Sequence, residues 1–197
     1  MNLRALFVSG FISAAMVAFA APRSGTPVHE CVPGTPTVAS YTWDFKGEAN
    51  TIFQDIESDA DQALDHADKL QTFALESGLD WETHAEQLDA LRDEVNDMGT
   101  KLCRLETIRR VVAPWQQAEI DRIATTARLM AVNTEDAIQF LNGHQGELWL
   151  AEYRTDTNHI FEEAQTLAHS VRTAVAYANA SKDYRNLRRE LGMASSS

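Results

Sequence analysis

Four of the six histidines, His66, His84, His144 and His159, fall in a chain that carries 29 carboxylates. Imidazole and carboxylate together are the donor set that suits a divalent ion such as zinc or copper. If a metal is bound, the expected ligands are His84 with His66 or His159 and neighbouring carboxylates, converging within about 2.0 to 2.3 Å of one point. The spacing is not that of a known helical metal motif. No Glu-x-x-His pair occurs, as a bundle di-iron site would need, and the nearest approach is Asp156-x-x-His159. His-Glu-x-x-His is absent as well.

Other chemistries lack their residues. There is no Gly-rich phosphate loop, no Gly-x-Ser-x-Gly elbow and no CxxC or CxxCH motif. A haem held between a methionine early in the first helix and a histidine late in the fourth has no counterpart. Surface carboxylate pairs are numerous enough to arise by chance, and helix faces rarely form the concave pocket that acid and base work needs. No catalytic residue is assigned, and a non-enzymatic protein is expected.

The elements that would position these side chains are helices. Trp81, Leu88, Leu91, Val95, Met98, Leu102 and Leu105 recur at alternating spacings of three and four, the signature of one apolar stripe. Such a stripe must be buried against another. Partners of matching period lie on both sides. Helix 1 is predicted from Trp43, with Thr42 as N-cap, to Glu76 along Phe45, Ala49, Ile52, Ile56, Ala60, Ala63, Ala67, Leu70 and Ala74. Ser77 to Asp80 reads as a tight turn, with Gly78 past the end of one helix and Asp80 capping the next.

Pro114 either opens helix 3 or kinks one long rod, and the break is favoured because the residue before proline is pushed out of helical backbone. Helix 3 then follows Ile120, Ile123, Ala127, Met130, Ile138 and Leu141 to the loop Asn142 to Gly146. Helix 4 is predicted from Glu147, or as late as Asn158, along Trp149, Tyr153, Ile160, Ala164, Leu167, Val171, Ala174 and Ala178. The first three helices are each on the order of 45 Å long. The fold class expected is all-α: an antiparallel, up-down-up-down four-helix bundle with long coiled-coil-like helices. The polar stretch Lys182 to Glu190 is surplus to it and should overhang or bend.

The remaining segments set the context. Arg4, the apolar run Ala5 to Val17 and Ala18-Phe19-Ala20 form an export-signal pattern over residues 1–20, cleaved after Ala20 or Ala21, with a retained anchor as the alternative. Residues 21–42 are punctuated by four prolines and read as an extended arm. The bundle occupies 43–192 and a disordered tail 193–197. Export implies a secreted or periplasmic location and makes Cys31–Cys103 an expected disulfide. Such a loop closure stabilises by about 4 kcal/mol in the chain-entropy model.

The net charge of −12, which becomes −13 without Arg4, argues against nucleic acid or anionic membrane as partner. Acidic residues on helix 1, Glu48, Asp55, Glu57, Asp59, Asp61, Asp65 and Asp68, read as a solvated face. His84 is expected to pack beside Leu79 at the helix start, and each tryptophan to close a core end. The function that fits is a binding or structural module of the cell envelope with a protein partner. A zinc- or copper-binding bundle is the alternative.

Overall fold

The computed structural model describes residues 43–76 and 78–192, and among these the chain forms four helices and no strand. The signal pattern, the arm with Cys31, the proposed cap Thr42 and the tail lie outside the described residues. No described helix is long and apolar enough to cross a membrane.

Helix α1 runs Phe45–Leu75 and is capped by Asp44, whose Oδ1 accepts from the Gly47 N–H at 2.9 Å. A Cβ on residue 47 would lie 2.5 Å from the Asp44 carboxylate, so a larger residue there would displace the cap. Gly78 takes a φ of +120°, open only to glycine without strain. Helix α2, Trp81–Ile108, starts on Asp80, which accepts from the Thr83 N–H at 3.0 Å and from its hydroxyl at 2.5 Å.

The chain breaks before Pro114. After a 3₁₀ turn at Arg109–Val111, Val112 and Ala113 are extended and α3 spans Pro114–Gly143 with proline in its first turn. Arg109 grips Asp121 with two hydrogen bonds, at 2.7 and 2.5 Å, and so closes the corner. Gln116 accepts from the Ala113 N–H and donates to the Lys46 carbonyl and to Asn50 Oδ1 at 2.9 and 2.8 Å. One buried amide therefore ties the start of α3 to the start of α1.

Helix α4 spans Ala151–Glu190. It begins four residues later than Glu147 because residues 144–150 form turns, held by Glu147 N–H to His144 C=O at 2.8 Å and Leu150 N–H to Glu147 C=O at 3.0 Å. With 40 residues against 28 to 31 in the others, it is longer by roughly 15 Å. Leu191 and Gly192 end it, the latter at φ +64°.

One apolar core runs through all four helices, with α1 packed on α2 and α4, and α3 on α2 and α4. The expected stripes of α2 and α4 are buried almost throughout. Two tryptophans depart from expectation. Trp43 and Trp149 are 60% and 68% exposed, because each precedes the first turn of its helix and lies off the stripe, while Trp81 and Trp115 pack against the core. Helix α1 buries Phe53 fully and Ile52 only partly, and α3 buries Phe140 where Ile138 was expected.

Candidate functional site

The histidines are placed separately. His66, on α1, is half-buried and its Nδ1 meets Gln87 Oε1 of α2 at 3.0 Å. His144 is exposed at the end of α3 and stacks on Phe140 with ring centroids 4.5 Å apart. His159 is exposed on α4. Among the described residues no group of three or more His, Cys, Asp or Glu side chains converges as a metal ion would need. The three proposed ligands His84, His66 and His159 thus sit in different surroundings rather than around one point.

His84 is the informative one. It is buried at the start of α2, while Leu79 before it is exposed. Its Nδ1 shares a hydrogen bond of 3.0 Å with the Tyr153 hydroxyl of α4. The rings stand edge to face at 5.5 Å, Phe73 of α1 meets His84 at 6.0 Å, and Phe140 of α3 meets Tyr153 at 5.6 Å. All four helices therefore contribute to one aromatic cluster around a single buried hydrogen bond.

Burial pushes the Tyr153 phenol well above its ordinary range and pushes the His84 imidazole below its ordinary value, with Asp80 pulling the other way. Around that hydrogen bond the cluster forms a buried knot between the helices. Below pH 6.5 the unfolded chain takes up a proton that the folded chain resists, so unfolding free energy falls as pH drops through that value. Thermal melts across this range should show the decline, and His84→Gln should flatten it. Asp156 and Glu163 act oppositely at lower pH, since burial raises both carboxyls and the folded state takes up their protons first.

Two further features are surface features. A groove of about 400 Å³ between the end of α1 and the start of α4 is lined by Gln71, Ala74, Leu75, Arg154 and Asn158 among others. Gln71 donates to Asn158 across it at 2.8 Å, and Arg154 is the one ionisable side chain in its lining. It offers no acid and base pair and does not include the loop Asn142 to Gly146. Between α3 and α4, Asn133 donates to both oxygens of Glu163 at 2.8 and 2.9 Å, so that carboxylate is engaged.

The last feature is the end of α4. Beyond Ala178 no residue of the helix is buried, yet Tyr177, Tyr184, Leu187 and the capping Leu191 are 54%, 61%, 55% and 72% exposed. Their spacing of seven, three and four is that of a helical seam. Lys182, Arg185 and Arg189 lie on the other side of the same turns. The Tyr177 ring meets Trp115 of α3 at 4.8 Å, and past Ala178 this amphipathic helix end carries no buried residue.

No family model, curated protein or solved structure matches this chain. The class defined by the fold is a four-helix bundle.

Proposed function

We propose that the chain is an exported, non-enzymatic bundle that acts by binding another protein in the cell envelope through the projecting end of α4. The observation that carries this is the exposed seam of Tyr177, Tyr184, Leu187 and Leu191. Exposed apolar surface grouped on one helix face and rimmed by cations is what helix-in-groove recognition uses.

An up-down-up-down arrangement is part of this reading. Between α1 and α2 the pairs are Glu48 with Arg104, Asp59 with Lys101 and His66 with Gln87. Between α1 and α4 they are Asp61 with Arg172 and Gln71 with Asn158. Trp115 with Tyr177, Asn133 with Glu163 and Phe140 with Tyr153 join α3 to α4. Residue numbers rise on one helix as they fall on its neighbour in each set, which supports antiparallel neighbours. Export is supported by the leader pattern, and processing predicts a mature N-terminus at Ala21 or Pro22. The Cys31–Cys103 bridge is proposed with it, and a peptide map without reductant should recover the two cysteines joined.

The test is capture from the envelope fraction with the purified chain and with Leu187→Glu. Leu187 is exposed, so the variant should melt like the parent, within about 0.5 kcal/mol. A specific partner retained by the parent and lost by the variant is the expected result. Equal capture by both would remove the α4 surface from the reading.

A further inference from the structure

We propose that the α4 seam also takes a second copy of this chain, the two helix ends pairing in parallel as a short two-stranded coiled coil. The inference rests on the binding reading above and names an occupant for its surface.

Helix α4 packs into its own bundle through Val171, Ala174, Val175 and Ala178, all buried. Counting 3.6 residues to a turn, Tyr177, Ala180, Tyr184, Leu187 and Leu191 lie about half a turn away from that face. Tyr177, at its upstream edge, leans on Trp115 of α3 with ring centroids 4.8 Å apart, and beyond Tyr177 the seam points away from the molecule's own core. Upstream on that outer side stand Thr166, His169 and Thr173, two of whose hydroxyls bond back to their own helix at 2.8 Å. The apolar stripe thus belongs to the projecting end alone.

Placing Tyr177, Tyr184 and Leu191 at one core position of the heptad and Ala180 and Leu187 at the other puts Asp183 and Arg188 on opposite flanks. In a parallel pair, the flank of Asp183 on one helix meets the flank of the partner helix five residues further on. That residue is Arg188. The contact occurs twice by symmetry, an isologous match of the kind that closes a dimer. Arg188 already leans on the rim of the seam, its guanidinium 5.9 Å from the Tyr184 ring centroid. An antiparallel pair would instead oppose Asp183 to Glu190, two like charges, and Arg188 to Ser181.

The seam is roughly 20 Å long, and a contact of that length falls short of the roughly 800 Å² a side typical of stable complexes. The dimer should therefore dissociate on dilution, and a concentration series will read it.

Sedimentation of the purified chain from about one to several hundred micromolar should show a monomer–dimer equilibrium. Leu187→Glu should weaken it at least tenfold with the helical circular dichroism intact. Asp183→Arg and Arg188→Asp should each weaken it, and the two together should restore it. Leu187→Cys should form an interchain disulfide on mild oxidation, because this core position meets its own copy only in the parallel pair. A chain that stays monomeric throughout, or a dimer indifferent to Leu187→Glu, overturns the inference. A monomer that still captures an envelope protein through Leu187 leaves the binding reading standing, whereas a dimer that captures nothing overturns that reading and keeps this one.

Discussion

Replacing Tyr153 with alanine will cost the fold about 3 to 5 kcal/mol, the range seen when a buried aromatic ring is removed and its cavity only partly collapses. Tyr153 is fully buried and touches His84 of α2 and Phe140 of α3 from its place on α4. Its loss opens the knot that three helices share directly and α1 shares through Phe73. Tyr153→Phe separates ring from hydroxyl. The ring packing stays, but Nδ1 of His84 loses its only hydrogen-bond partner among the described residues, which costs about 1 to 3 kcal/mol. Urea titrations should rank the parent above Tyr153→Phe and Tyr153→Phe above Tyr153→Ala. Adding His84→Leu to Tyr153→Phe removes both polar groups together, and the double variant should be less destabilised than the two single changes sum to. Simple additivity would mean that the hydrogen bond contributes nothing.

This knot shows where the sequence was readable and where it was not. The stripes of α2 and α4 could be traced residue by residue, because Leu88, Leu91, Val95, Met98, Leu102 and Leu105 alternate threes and fours without interruption and are all buried. Pro114 could be placed at a helix start because its ring and the residue before it act locally. His84 stood on that same stripe, yet its partner could not be named from the spacing of one helix. The usable signal was a second polar group, Tyr153, on a stripe that reaches the same end. A pair of polar side chains on facing stripes invites a mutual hydrogen bond, since neither can be buried unpaired without loss. Trp149 failed for the opposite reason. Its spacing continues the α4 stripe backward into a segment whose backbone is not helical, so periodicity had no meaning there.

The end of α4 was legible only in part. Lys182, Arg185, Arg188 and Arg189 make the stretch look polar throughout, and so it was read as surplus helix. Its apolar residues keep helical spacing but on the side opposite Ala174 and Ala178, so they do not extend the buried stripe. A change of face, rather than a loss of periodicity, is what separates this exposed seam from the buried one. Helix α3 carries the reverse lesson. Its core face passes through Thr134, whose buried Oγ1 has no hydrogen-bond partner among the described residues, and a threonine there hid the step that brings Phe140 inward.

Lys101→Met will destabilise the fold by about 3 kcal/mol, because it strands a carboxylate that folding has buried. Asp59 looked like one more residue of a solvated acidic face, but it is only 7% exposed and is paired with Lys101 across the α1–α2 seam. Glu48 belongs to the same interface, held by Arg104 at 2.6 Å. The lysine does more than answer one charge. Burial, with Asp59 and Asp97 nearby, pushes the Glu94 carboxyl up, and Lys101 is a cation that counters this repulsion. Taking Lys101 away leaves two partly desolvated carboxylates facing each other. Lys101 itself keeps a side-chain exposure of 30%, so water softens the loss and the effect belongs at the lower end of the range for a broken buried pair. Adding Asp59→Leu to Lys101→Met removes the stranded charge as well, and this double variant should recover most of the lost stability in the same urea titration. If the single variant unfolds at the parent's midpoint, Asp59 does not depend on Lys101, and the α1–α2 seam is held by its apolar stripe and its other polar pairs.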